Sequence, residues 1–161
     1  MIKSDKLLKL SFLGQSIWYD NLSRELLNDG SLKELIANGI LGLTSNPAIF
    51  EKAISSSDIY DNDIRAMSEL NKSDIEIYEE LAVSDIQSAA DLLFDTYIAT
   101  DKIDGLVSLE VNPHLANDTQ GTILEAKRLF KQVNRPNLMI KVPATPEGIP
   151  AIEHLIGEGI S

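Results

Sequence analysis

Four short apolar runs alternate with helix-patterned sequence, and that alternation constrains this chain more than anything else in it. The runs are 16–21, 40–45, 105–112 and 138–142. A chain that alternates strand and helix builds a parallel sheet covered by helices, because each parallel strand must be reached by a crossover. Period-two alternation within the runs sharpens the expectation. Val107, Leu109 and Val111 share one face, and Ser108, Glu110 and Asn112 the other. Leu138, Ile140 and Val142 oppose Met139 and Lys141. Ile17 and Tyr19 oppose Trp18 and Asp20. Leu41 and Leu43 oppose Gly42, Thr44 and, past the strand, Asn46. With the apolar sets against helices, Asp20, Thr44, Asn46, Glu110 and Lys141 all point to the other side, near strand C-terminal ends. In a β/α barrel that place is the interior mouth, where active sites form.

Helices are expected over 5–10, 22–28, 31–38, 47–54, 58–70, 74–97, 119–130 and 147–156. The third starts at an expected N-cap, Ser31, carries Leu32, Leu35 and Ile36 on one face, and stops at Gly39. Asn46-Pro47 reads as an N-cap followed by proline at the first helical position. The long helix carries Ile75, Tyr78, Leu81, Ala82, Ile86, Ala89, Leu92 and Leu93 at helical spacing. Gly39, Gly42 and Gly105 read as punctuation, and no phosphate-cradling glycine motif is present. There is no internal repeat or linker, and 161 residues are enough for one domain with a real core.

The net charge of −11 disfavours nucleic acid and anionic lipid as partners. It also disfavours a phosphorylated substrate unless a local basic pocket overrides it, and these residues contain none. With no cysteine, a disulfide framework and a thiolate metal site are excluded. The N-terminus lacks an apolar stretch of signal-peptide length, and no segment approaches the roughly 20 apolar residues of a membrane helix. These features lead to the expectation of a soluble, cytoplasmic protein.

Lys141 is the chemical centre of the reading. It lies inside the apolar strand Asn137-Leu138-Met139-Ile140-Lys141-Val142-Pro143. Burial strips solvation from an ammonium and makes the amine a usable nucleophile, whereas nearby carboxylates oppose that effect. Asp20 and Glu110 place one acid on each of two other strands. A lysine and two carboxylates on three core strands suggest Schiff-base chemistry with acid/base support. The bland alternative is a structural lysine paired with an acid across strands. Thr44 and Asn46 could bind hydroxyls, although a helix start alone explains Asn46 and Pro47. His114 and His154 lack the spacing of a metal pair and are expected at the surface. Met139 is expected in the core, Glu79, Glu80 and Glu25 on solvated helix faces, and Asn112-Pro113 in a turn.

Four segments resemble transaldolase: Trp18-Tyr19-Asp20-Asn21-Leu22, Gly42-Leu43-Thr44-Ser45-Asn46-Pro47, Ser108-Leu109-Glu110-Val111 and Met139-Ile140-Lys141-Val142-Pro143-Ala144-Thr145. Their wording is most similar to the longer bacterial transaldolases, some of which are fused to a glucose-phosphate isomerase. The resemblance implies an α/β fold, a (β/α)8 TIM barrel of the class I aldolase type. It implies that Lys141 attacks a ketose carbonyl to form a Schiff base. Glu110 then acts through a water, and Asp20 takes the proton from the C4 hydroxyl as the C3–C4 bond breaks. Thr44 and Asn46 hydrogen-bond that water or the dihydroxyacetone unit. The implied reaction moves dihydroxyacetone from fructose 6-phosphate or sedoheptulose 7-phosphate to an aldose phosphate in the pentose phosphate pathway, with ping-pong kinetics. The resemblance implies no metal or organic cofactor. The small fructose-6-phosphate aldolases share the lysine but usually carry Gln where Glu110 stands.

The chain holds four expected strands, and the barrel needs eight, usually in about 250 residues. It is therefore expected to be the N-terminal half of the barrel domain. The later strands of the family bring an Asn and a Thr near the Schiff base, and the serine and arginines that bind phosphate. Such a half is expected to be marginally stable, to dimerise or aggregate, or to be completed by a C-terminal half. A catalytically inactive half-barrel used as a binding or assembly module is the alternative to a transferase. A lyase that releases free dihydroxyacetone is the third reading.

Overall fold

A computed structural model describes residues 5–161. The elements run α1 (Asp5–Phe12), β1 (Trp18–Tyr19), α2 (Arg24–Asn28), α3 (Ser31–Ala37), β2 (Gly42–Thr44) and α4 (Pro47–Ser55). A 3-10 turn (Asp58–Tyr60), α5 (Asp61–Glu69), α6 (Asp74–Ala99) and β3 (Leu106–Glu110) follow. A second 3-10 turn (Pro113–Leu115), α7 (Thr119–Val133), β4 (Leu138–Lys141) and α8 (Gly148–Gly157) complete the order. The strands form one parallel sheet in the order β1-β2-β3-β4. Sequential parallel strands joined by helices are the arrangement of a β/α barrel, here four strands of it.

The strands are shorter than the apolar runs because pairing stops where the chain must turn. β2 ends at Thr44 because Asn46 caps α4, its Oδ1 accepting from Ile49 N at 3.0 Å. β3 cannot begin earlier because Gly105 holds a left-handed φ of +74°. Register puts Trp18 beside Gly42, Thr44 beside Ser108, and Glu110 beside Lys141. The expected division of faces holds for β2, β3 and β4, whereas Ile17, Trp18 and Tyr19 at β1 are all half-buried. Leu43, Val107, Leu109, Val111, Leu138 and Ile140 are buried against the helices.

α6 supplies most of that cover. Ala82, Ala89 and Ala90 let its backbone come close, and Val83, Ile86 and Leu93 fill the space between. At Gly105 a Cβ would sit 2.2 Å from Tyr97 N, so glycine is required there by the approach of α6 as well as by φ. Asn137 clamps the base of the layer, its Nδ2 donating to Ala90 O and Gly105 O at 2.8 Å each. α6 starts on a capping box: Ser73 Oγ accepts from Glu76 N, and Glu76 Oε2 accepts from Ser73 N.

Several expectations are corrected. Ser31 is not an N-cap: Gly30, at φ +88°, holds that position, and Ser31 N donates instead to Asp29 Oδ1 at 2.8 Å. The helix expected over 58–70 divides at Tyr60, whose fully buried ring ends a 3-10 turn before α5 begins. Ile75 lies outside the buried stripe of α6, at 76% exposure, and Ile77 takes the inward position. Glu79 is not a free solvated acid, because Arg128 binds it through both Nη1 and Nη2 at 2.6 Å. Met139 is half-buried on the face it shares with Lys141 rather than in the core. Gly42 is more than punctuation, since a Cβ there would meet the Trp18 ring at 2.4 Å.

Candidate active site

The site forms where β2, β3 and β4 end, on the sheet face turned away from the helices. Adjacent register positions bring Glu110 and Lys141 together at the last step of the β3–β4 ladder. Lys141 Nζ lies 2.8 Å from Glu110 Oε2. It also donates to Ser45 O at 3.0 Å, reaching over β3 to the end of β2. Thr44 Oγ1 and Ser108 Oγ lie 2.9 Å apart across β2 and β3. Lysine, carboxylate and hydroxyls therefore line one continuous strip. The strip is polar because these positions share the parity opposite to Leu43, Val107, Leu109 and Ile140.

Lys141 is not the desolvated lysine that its apolar neighbours suggest. Its side chain is 40% exposed, against 20% for Glu110. The neighbouring residues bury the opposite face of β4, and alternation carries Lys141 away from them. The structure brings Lys141, Glu110, Thr44 and Asn46 to the ends of neighbouring strands. It does not bring Asp20 into contact with them. Asp20 lies one residue past β1, is exposed, and forms no hydrogen bond or ion pair among the described residues. Asn46 spends its Oδ1 on the α4 cap and keeps its amide donors. His114 and His154 are exposed, as expected, and His154 Nε2 lies 3.0 Å from Glu158 Oε1.

Glu110 is felt across the sheet. The Tyr78 phenol on α6 is raised above its ordinary range, first by burial and then by the charges of Glu110 and Glu51. Tyr78 also lines a cleft of about 350 Å³ with Ala82, Val83, Leu109 and Val111. Glu110 itself lines that cleft, with Pro47 and Asn112 beside it, so the cleft meets the polar strip at Glu110, although it contains neither Lys141 nor Thr44. Among the described residues no group of three His, Cys, Asp or Glu could hold a metal ion, and no helix is long and apolar enough to cross a membrane.

Two features escaped the sequence reading. Ser45 is one, because a backbone acceptor leaves no side-chain signature. The other is a buried charge network on the helix layer. Asp85 is 1% exposed and accepts from Arg24 Nε at 2.9 Å and from Tyr60 Oη at 2.8 Å. Arg24 also pairs with Asp63 at 2.5 Å and lies 4.4 Å over the Tyr60 ring. Burial pushes the Asp85 carboxyl up, against the pull of Tyr60 and Arg24. Burial disfavours the Arg24 charge too, but Asp85 and Asp63 outweigh it and raise that group. Asp85 was legible in principle: it falls inside the buried stripe between Ala82 and Ala89.

Comparison with known proteins points to one family. A family model described as transaldolase/fructose-6-phosphate aldolase matches residues 17–161. The chain is similar to "Transaldolase 2" of Nostoc sp. (strain PCC 7120), 51% identical over 156 residues, covering 96% of this chain and 41% of the relative. It is similar to "Transaldolase" of Trichodesmium erythraeum, 52% identical over 159 residues, covering 98% of this chain and 42% of the relative. It is also similar to "Transaldolase" of Thermobifida fusca, 49% identical over 154 residues, with 95% and 42% covered. The chain thus spans 41–42% of the length of these relatives.

Proposed function

The chain belongs to the transaldolase/fructose-6-phosphate aldolase family, and from that premise we propose that it carries the nucleophile end of a transaldolase site. The observation that carries the reading is the 2.8 Å contact between Lys141 Nζ and Glu110 Oε2 at the mouth of adjacent parallel strands. An amine beside a carboxylate is equipped to condense with a ketone, because the carboxylate exchanges protons with the amine and with the departing water. Lys141 attacks the ketose carbonyl and forms a Schiff base. Glu110 works through a water in forming and hydrolysing it. Asp20 accepts the C4 hydroxyl proton when the C3–C4 bond breaks. Thr44 and the Asn46 amide hydrogen-bond that water or the dihydroxyacetone unit.

The donors in this proposal are fructose 6-phosphate and sedoheptulose 7-phosphate, the acceptor is an aldose phosphate, and the setting is the pentose phosphate pathway in the cytoplasm. Residues 1–161 are the N-terminal part of a single barrel domain in this reading. The phosphate-binding groups then belong to later strands, which accords with the lack of a basic pocket here. Glu110, in place of the Gln usual in the small aldolases, favours transfer over simple cleavage.

Borohydride trapping with fructose 6-phosphate tests the proposal. The expected result is a mass adduct on the wild-type chain that vanishes in Lys141→Met. No adduct on a demonstrably folded chain would sink the reading for this chain and favour a catalytically silent module. Release of free dihydroxyacetone without an acceptor aldose would indicate a lyase instead.

A further inference from the structure

Lys141 Nζ has two acceptors, Glu110 Oε2 at 2.8 Å and Ser45 O at 3.0 Å. The Ser45 carbonyl is available because β2–β3 register pairing ends at Thr44 and Ser108, after which Pro47 turns the chain into α4. It is also fixed in place. Ser45 is fully buried, and its Oγ donates to Ser108 O at 2.8 Å. The third tetrahedral direction on Nζ has no partner among the described residues, and the side chain keeps 40% of its exposure.

We propose that Ser45 is a positioning residue whose anchored carbonyl holds the one N–H that survives imine formation, leaving Glu110 free to serve the water. The inference rests on the Schiff-base reading above. A lysine ammonium carries three hydrogens. When it condenses with a ketone, a carbon–nitrogen double bond forms and the carbon–oxygen bond breaks. Two hydrogens leave with the oxygen as water, and one stays on the positively charged nitrogen. That single N–H cannot point at both acceptors. A carboxylate that passes protons to and from water works only while it is uncommitted. The carbonyl is neutral, cannot be protonated at working pH, and belongs to a residue that its own buried hydroxyl ties to Ser108 O, so it is the better resting partner. The Ser45 side chain itself touches no reacting atom.

Ser45-Asn46 is the only Ser-Asn step in the chain. Carbonyl-labelled serine combined with nitrogen-labelled asparagine therefore isolates this one peptide by NMR. Lys141→Met defines where the Ser45 carbonyl resonance falls without the hydrogen bond. The wild-type chain is then read with dihydroxyacetone, which needs no phosphate pocket. Borohydride reduction and mass measurement afterwards give the fraction of Lys141 occupied. The expected result is an occupied Lys141 with the resonance still at its wild-type position. A resonance that moves to the Lys141→Met position in proportion to occupancy overturns the inference and leaves the Schiff-base reading standing. No adduct on the folded chain overturns both. Ser45→Ala is expected to slow trapping about tenfold, the effect of losing one positioned hydrogen bond. Ser45→Thr, which keeps the hydroxyl, is expected to restore most of that rate, and equal trapping in wild type and Ser45→Ala counts against the role. Where Ser45→Ala does not fold, the resonance test on the unmutated chain still decides.

Discussion

At Lys141 the decisive variable is neighbours rather than burial. The side chain is half-exposed, and Glu110 Oε2 lies 2.8 Å from Nζ. Glu110→Gln keeps the shape and removes the proton acceptor, so trapping should slow by roughly a hundredfold, within the usual range for general acid–base groups. The initial rate of borohydride adduct formation measures it, and an unchanged rate would remove Glu110 from the mechanism. Asn46 carries a structural and a proposed chemical role, and two substitutions separate them. Asn46→Ala should cost about 1 kcal/mol through the lost α4 cap. Asn46→Asp retains the capping oxygen and loses the amide donors, so urea unfolding should stay near wild type while trapping falls. Gly42 answers to the Trp18 ring: Gly42→Ala should destabilise by about 1–3 kcal/mol through overpacking, read in denaturation followed by Trp18 fluorescence.

Among the elements, α6 organises the molecule, because its small residues lie on β3 and its charged residues tie down neighbouring helices. Asp85 on α6 holds Arg24 of α2 and the Tyr60 hydroxyl in one buried network. Asp85→Ala leaves a mostly buried guanidinium facing an empty site, which should cost about 3–5 kcal/mol. Thermal or urea denaturation checks the value. Glu79 of α6 is held below the usual carboxylate range, chiefly by its hydrogen bonds from Arg128 of α7. A folded value below the unfolded 4.5 means that this stabilisation is fully present above about pH 4.5. It is lost as pH falls through the folded value. Tm measured below pH 4.5 should therefore fall less steeply in Glu79→Gln than in wild type. The same sign applies to Glu76, which Ser73 holds down, and to Glu158, which Lys127 holds down. Asp85 runs the other way, since burial raises it and its contribution fades as pH rises.

Over the whole molecule, four parallel strands bury one face under helices and leave the other as a polar strip with a partly apolar surround. Phe12, the last residue of α1, and Leu13 after it are 90% and 77% exposed, and Ile156 on α8 is 64% exposed. Exposed apolar side chains of this size favour self-association. At the β4 edge, Ile140 N donates to Ser161 O at 2.7 Å, so that edge already takes a backbone partner. The isolated chain is expected to elute as dimers or larger species in size-exclusion chromatography and to unfold with low cooperativity. A monodisperse monomer with a sharp thermal transition would contradict this.

What the sequence determined by itself is the alternation of strand and helix and which side chains share a face. Each follows from local rules: period two in a strand, helical spacing in a crossover, a cap at Asn46. Parity alone put Glu110 and Lys141 on the face away from Leu109 and Ile140, so most of the candidate site was legible. Tertiary structure decided the rest. It placed Ser45 O within reach of Nζ, tucked Asp85 under Arg24 and Tyr60, left Lys141 half-exposed, and kept Asp20 out of contact. These outcomes depend on register between strands far apart in the chain and on how closely α6 approaches β3. No local pattern encodes such distances, because they are settled by how the buried surfaces of separate elements fit together.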